Sequence, residues 1–450
     1  MLSNISLDLA FQKNHSYFME VTQDISEKTT WSITTKITFR FFFVYMFLNI
    51  FPFPLYYIGS IIGEDDLFSF YSDWFEQLSI WIGKNILSIK YEMPTGPNGS
   101  GDTTTDYVFQ FVITVVALVA TVMWSILDRK RQSYDKIFLY LRTFVRYYLA
   151  FTMFSYGFYK VIPLQFSELS NFDLIKTVGN QSPMGLMWNF MEFSDTYTRF
   201  SGFVEVIAGI FLLYRRTVVL GTILTVAVMF NIFMMNMSYD IPVKLYSGLL
   251  TIMGIFLLIP DLKRILDFFI LNKVVNSKTI LPYTDKEKTK KAIIGLKIIT
   301  VLFLFYYNIN DAIEGEEKWG KKAKKPALYG IYEVESFVKN GDIMPPLTTD
   351  TIRWKRLIVG KRSLGIQTMD EKIKYFNEET DTIVKTLQIT NRKDSTDIQR
   401  FIYKFKDSLY TFESIYKSDT LKIEAKKKER EEFLLINRGF HWINEFPFNR

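Results

Sequence analysis

Glu205 stands in Phe200-Ser-Gly-Phe-Val-Glu-Val-Ile-Ala-Gly-Ile-Phe-Leu-Leu-Tyr214, an otherwise uncharged apolar run that Arg199 opens and Arg215-Arg216 closes. Insertion scales put a charged group at the bilayer centre at about 2.5 to 3.5 kcal/mol, so a retained acid usually faces a bundle interior and has a partner. A second run, Ile137–Ile162, carries Arg142, Arg146, Leu149, Met153, Tyr156 and Lys160. These recur every three or four residues and so share one helix face. Arg146 lies roughly nine residues in from one side, ~14 Å, and Glu205 roughly eight in from the other. The matched depths predict an Arg146–Glu205 pair. Lys160 lies near the outer end and can snorkel to the interface instead. Asn231 and Asn236 occupy a further run, and Tyr239-Asp-Ile-Pro-Val-Lys244 sets Asp240 beside Lys244 at its mouth. The chemistry open to this set is proton transfer by a buried acid, binding of a polar headgroup, or hydrogen bonding between helices.

Composition removes other chemistry. The 450 residues include no cysteine and two histidines, His15 and His441. Disulfides, cysteine-ligated iron–sulfur clusters and thiolate nucleophiles are excluded. Neither histidine lies in an apolar run, which excludes a bis-histidine haem within the membrane. His441, in Arg438-Gly-Phe-His-Trp-Ile-Asn-Glu445, is expected to be buried on a late β-strand. It lacks neighbours for a metal site. The net charge of +7 is no nucleic-acid signal, because much of the excess lies in loops beside apolar runs, where it orients a membrane chain.

Seven apolar stretches can span: Ile37–Ile62, Tyr107–Leu127, Ile137–Ile162, Tyr197–Tyr214, Val218–Met237, Ile241–Ile259 and Ala292–Tyr307. Pro52 and Pro54 kink or shorten the first. Basic residues gather before the first span and after the second, fourth and sixth, from Lys28 to Lys291. The positive-inside rule places those segments, with the N-terminus, in the cytoplasm. Lys318, Lys321, Lys322, Lys324 and Lys325 fall on the opposite side of that count. Leu67–Leu87 suits an interfacial helix, with Phe70, Trp74, Leu78, Trp81 and Ile82 on one face. In the turn-rich Pro94–Thr105 segment, Asp102 or Thr103 is placed to cap the second span. Its glycines suit an anion nest as well, but no Walker lysine follows. Pro163–Thr196 is too apolar for a solvated loop and is expected to re-enter the membrane or cover the bundle mouth. From Pro326 the pattern turns to period two: Phe401, Tyr403 and Phe405, then Leu421, Ile423 and Ala425. Eight or nine short strands fit between Gly330 and Phe446, as an antiparallel meander closed into a barrel or folded as a sandwich.

Three pieces resemble the DoxX-like family of small four-helix bacterial membrane proteins. They are Arg146-Tyr-Tyr-Leu-Ala with Tyr156-Gly-Phe-Tyr-Lys160; Gly202-Phe-Val-Glu-Val-Ile-Ala-Gly-Ile-Phe-Leu-Leu213 with Arg215-Arg216; and the two spans that end at Pro260-Asp261. The whole chain resembles longer DoxX-type proteins of Bacteroidota. The resemblance implies a four-helix membrane bundle over residues 137–265 in a bacterial inner membrane. It carries over to Gly157, Lys160, Gly202 and Glu205. Some members of the family are membrane subunits of quinone-linked oxidoreductases, which implies a quinone near Glu205, Arg146, Lys160 and Tyr156, and redox partner subunits. The expected architecture is a mainly α polytopic membrane protein with a C-terminal all-β domain. Residues 1–36 are a cytoplasmic segment, 37–136 two flanking spans, and 266–311 a basic loop with the last span. Residues 312–450 are a periplasmic β domain, lipocalin-like in strand count or a sandwich. Two functions compete: a quinone-interacting subunit of an envelope redox complex, and a non-enzymatic envelope protein whose bundle anchors a ligand- or partner-binding β domain. A transporter would show inverted repeats and paired broken helices, and neither is visible.

Overall fold

The computed structural model describes residues 30–276, 286–416 and 419–449. The N-terminal segment with His15 and Lys28, Lys278, and the Lys417-Ser418 turn lie outside the described residues. The helices are α1 (Ile33–Ile50), α2 (Tyr56–Ile62), α3 (Ser69–Asn85), α4 (Thr104–Leu127), α5 (Asp135–Val161), α6 (Asn171–Ile175) and α7 (Pro183–Phe193). Then come α8 (Asp195–Leu213), α9 (Val218–Ser238), α10 (Lys244–Leu258), α11 (Leu262–Phe269) and α12 (Glu287–Lys318), with α13 (Leu434–Asn437) near the C-terminus. Six helical stretches are long and apolar enough to cross a membrane: α1, α4, α8, α9, α12 and the stretch Lys244–Phe269 that joins α10 to α11. The chain is a multi-pass membrane protein with a C-terminal β-barrel. At 27 residues α5 also has spanning length. Arg142, Arg146 and Lys160 keep it out of the set defined by composition.

The described residues form two compact units, one drawn from Met1–Phe154 and Glu205–Tyr283, the other from Ser155–Val204 and Thr284–Arg450. In the first, α1 stops at Ile50, before both prolines, and packs on α4. Arg40 is buried there because it is fully engaged: it donates to Tyr134 Oη (2.8 and 3.0 Å), Ser125 Oγ (2.8 Å) and the Asp128 carbonyl (3.1 Å). α3 lays Phe75, Leu78 and Ile82 against Val108, Val112 and Ile113 of α4. Phe70, Trp74 and Trp81 of α3 stay exposed, so the expected single apolar face is divided between packing on α4 and the surface.

In the second unit the loop after α5 folds into α6 and α7. β1 (Gly330–Lys339), β2 (Asp342–Ile343), β3 (Trp354–Val359), β4 (Leu364–Thr368), β5 (Ile373–Asp381), β6 (Thr386–Asn391), β7 (Ile398–Lys406), β8 (Leu409–Tyr416) and β9 (Asp419–Lys428) follow. Each strand from β3 onward pairs antiparallel with the next, and β9 pairs back with β1 to close the barrel. The lumen is filled by Tyr332, Phe337, Trp354, Leu357, Phe401, Tyr403, Phe412 and Ile423 with their neighbours, the inward half of the alternation. β4 is buried on both faces. The reason is α6: Phe172 lies against Gly360 and Gly365, where an added Cβ would meet its ring at 2.9 and 2.4 Å.

β1 and β3 pair only from Gly330↔Val359 to Glu333↔Arg356. Beyond that the seam is held by buried Arg353, which donates to the carbonyls of Met344 (2.9 Å), Trp354 (3.1 Å) and Glu335 (3.4 Å). Arg353→Met is expected to strand these acceptors and destabilise the barrel by about 2 to 4 kcal/mol, since each unsatisfied buried group costs ~1 to 3 kcal/mol. Urea unfolding of the detergent-solubilised chain, followed by barrel tryptophan fluorescence, measures it.

Candidate functional site

The sequence-expected polar residues fall into three groups. Glu205 on α8 is 1% exposed and Arg146 on α5 is 7% exposed, so both are core residues. Helix register places them apart. At Gly209 of α8 an added Cβ would lie 3.0 Å from the Ala150 carbonyl of α5, and at Gly202 it would lie 2.6 Å from the Gly157 carbonyl. Stepping back along α8 steps forward along α5, so the two helices run antiparallel. Arg146 precedes Ala150 by one turn and Glu205 precedes Gly209 by one turn, in opposite directions. They are therefore about eight residues, or ~12 Å, apart along the axis. Each side chain also leans toward its own helix N-terminus, away from the other. The expected matched depth is corrected: counting from the ends of apolar runs missed the register that the two glycines set. The Arg146 guanidinium stacks over the Tyr147 ring at 5.0 Å, and its buried Nε has no hydrogen-bond partner. Lys160, also buried, lies over the half-buried Tyr156 ring at 5.6 Å.

Asp240 and Lys244 belong to a helix cap. Lys244 Nζ lies 3.0 Å from Asp240 and 3.5 Å from Asp102. The Asp102 carboxylate accepts from the backbone N–H of Lys244 (2.8 Å) and Leu245 (2.9 Å). Gly101 N–H donates to the Pro242 carbonyl (2.8 Å). Thr103 and Asp106 form the capping box of α4. Asp102 thus caps α10, a helix distant in sequence. Asn236 is buried and donates to Ser247 Oγ (3.0 Å). Asn231 is exposed, and its side chain reaches only Met235 Sδ among the hydrogen bonds described. The structure does not bring it to the other candidates.

The second unit holds features that sequence spacing did not reveal. A clasp joins the α5–α7 loop to the barrel. Asn171 donates to the Val359 carbonyl (2.8 Å), and Arg430 donates to Asn171 Oδ1 (2.9 Å) and the Leu169 carbonyl (2.8 Å). Glu168 lies 2.7 Å from Lys361 Nζ and 3.8 Å from Lys325 Nζ. Burial pushes the Glu168 carboxyl up, but Lys361, Lys325 and Arg430 outweigh it and hold it below the usual range.

The barrel wall also has a gap. β7 and β8 pair from Ile402↔Glu413 to Lys406↔Leu409. β7 then continues to Ile398 with β6, and β8 to Tyr416 with β9. Between Arg400-Phe401 and Ser414-Ile415 the described link is Ser414 Oγ donating to the Arg400 carbonyl at 2.5 Å. A cleft of about 710 Å³ opens there; buried Phe401 and Ser414 line it with Leu421, and Ile402, Ile415, Arg400 and Lys422 line its exposed side. His441 lies past the last strand on an exposed segment, in contact with Arg438. The expected late strand is corrected, because pairing ends at Lys428, where β9 has closed on β1.

Over 124 residues the chain is 33% identical to a protein of Bacillus subtilis (strain 168) described as "Uncharacterized protein YwoB". The chain covers 79% of that relative. It belongs to the YwoB family. The match takes in 28% of this chain, so the YwoB likeness speaks for one segment. No family model matches the chain. No solved structure matches it.

Glu192 on α7 gives the clasp region a pH signature. Burial, with Asp173 and Glu168 adding repulsion, pushes its carboxyl up to about 8. The folded state then holds this proton more tightly than the unfolded chain. The contribution is full below the ordinary carboxylate range and is lost as pH rises through about 8. Thermal unfolding should show a fall in stability from about pH 5 to about pH 9, and Glu192→Gln should flatten it.

Proposed function

We propose that this is a membrane protein whose helical part anchors a ligand-binding β-barrel. The cleft between β7 and β8 carries the reading. Its volume of about 710 Å³ is in the range of small-ligand sites. Phe401, Ile402, Ile415 and Leu421 offer apolar contact, while Arg400, Lys422 and Glu413 stand at its margin with a positive balance. That pairing suits an amphipathic molecule with an apolar chain and an anionic head. The aromatic-filled lumen leaves the wall, not the interior, as the place to bind. In this reading α5 crosses as well as the six apolar stretches, and the odd number supports a barrel on the face opposite the N-terminus, periplasmic in a bacterial inner membrane. In this reading the protein is non-enzymatic. The test is photocrosslinking of the purified full-length chain with a diazirine fatty acid. Labelled peptides should come from β7 and β8, and Ser414→Trp, which fills the cleft, should cut labelling about tenfold, equivalent to ~1.4 kcal/mol. Labelling spread evenly over the barrel, or unchanged by Ser414→Trp, rejects the reading.

A second reading rests on Glu205. Glu205 is 1% exposed in a span candidate, the buried setting that intramembrane acids of proton paths share. The DoxX-like resemblance makes it a proton-handling group beside a quinone in a redox complex, with Lys160 and Tyr156 near the outer end of α5. Mass spectrometry of lipid extracts from the gently solubilised protein should then find a quinone that Glu205→Gln loses. Equal quinone in both preparations, or none in either, removes this reading.

A further inference from the structure

Within the first unit the helix ends sort by charge. α1 begins, α4 ends and α5 begins at one end, because Trp31 bonds to Asp135, and Arg40 to Tyr134 and Ser125. α10 ends there too, since Arg142 donates to the Leu257 carbonyl (3.1 Å). The register of α5 on α8 brings the 214–217 turn to the same end. The segments at this end, residues 32–40, 128–146, 213–217 and 261–273, carry 13 Lys and Arg against four Asp and Glu. The segments at the opposite end, residues 63–106 and 239–244, carry three against nine.

One buried charge at the basic end has no counter-charge. Arg142, Arg146 and Ala150 share a face of α5 that meets α10 at Leu257 and α8 at Gly209. Arg142 and Arg264 share buried Asp261, at 3.4 and 3.1 Å. The Phe211 and Tyr214 carbonyls at the end of α8 accept from the Thr217 hydroxyl, at 2.8 and 3.1 Å. Arg146 is 7% exposed, yet among the described residues its guanidinium meets the Tyr147 ring and no carboxylate. Its Nε is buried without a hydrogen-bond partner, and so is the Nε of Arg264. A buried charge left without a partner is strongly destabilising. The Arg146 side chain leans back toward the start of α5 by about one turn, ~5 Å, to the level of Arg142 and Asp261. Donors outnumber acceptors there, and an anion would balance them.

The helix that follows Asp261 says which anion. α11 sets Leu262, Leu266 and Phe269 on one face, 47%, 40% and 68% exposed, and begins with Lys263 and Arg264. It closes the stretch Lys244–Phe269, a span candidate. Basic and apolar side chains together at the end of a span suit a surface of anionic lipid. We propose that an anionic phospholipid seats its phosphate on Arg146 and Arg264, with its acyl chains along the Leu262–Phe269 face. The planar guanidinium fork gives a phosphate two parallel hydrogen bonds. A free phosphate would meet the arginines and leave the apolar face uncovered.

Native mass spectrometry of the full-length chain in mild detergent, offered equimolar phosphatidylglycerol and phosphatidylethanolamine, tests this. One phosphatidylglycerol should be retained in several-fold preference. Arg146→Gln and Arg264→Gln should each cut that retention several-fold. Lys130→Gln, which removes an exposed charge at the same end, should leave it unchanged. Equal retention of the two lipids overturns the proposal. So does a loss with Lys130→Gln as large as that with Arg146→Gln, which would indicate diffuse attraction. Inorganic phosphate is the second probe: displacement of the lipid by millimolar phosphate assigns the arginines to a free anion and overturns the lipid. Should Arg146→Gln lose helical circular dichroism, Arg264→Gln decides, because its side chain is 39% exposed. Unchanged retention in that variant overturns the proposal.

Discussion

The arrangement of the second unit depends on a backbone carbonyl with nowhere else to go. Val359 ends β3, and its carbonyl is met by Asn171 from a loop distant in sequence. Arg430, just past the last strand, then holds Asn171 and Leu169 in place. Start, middle and end of the unit thus converge on one buried polar knot. Charge-assisted hydrogen bonds of this kind specify geometry as well as adding stability. The knot explains why β4 has no solvent face and why Glu168 stays ionised despite burial. Glu192 shifts the other way, because burial, with repulsion from Asp173 and Glu168, raises its carboxyl.

Several features were legible in the sequence. The switch to period two after Pro326 marked the β domain, and Phe401, Tyr403, Ile423 and Ala425 point inward as the alternation requires. The apolar helices and the early end of the first at Pro52 were equally plain, because both follow from local chemistry. The capping residues of the Pro94–Thr105 segment were identified by type, yet Asp102 serves a helix some 140 residues away. N-cap chemistry names a donor and an acceptor; it does not name the helix.

What the sequence obscured is long-range. The Arg146–Glu205 match came from residue counts within each run. The true register is fixed by Gly202 and Gly209, whose missing side chains let the backbones of α5 and α8 touch. The apolar loop after α5 reads as a segment that re-enters the membrane or covers the bundle mouth; its α6 packs instead on β4, whose own pattern reads as an ordinary strand. The aromatic run around His441 resembles a strand in type, but no edge remains for it once β9 meets β1. Asn231 sits in a run with no internal sign of which side faces outward.

The closure of the barrel through β1 and β9 writes an order of assembly into the chain. The seam that completes the cylinder joins the first strand to β9, so the cylinder cannot close until β9 has been made. By then each described membrane helix has already emerged. Insertion and barrel folding are thereby separated in time, and a nascent chain stalled before Lys428 holds an open sheet whose two edges are both unpaired. Such edges invite pairing between neighbouring chains.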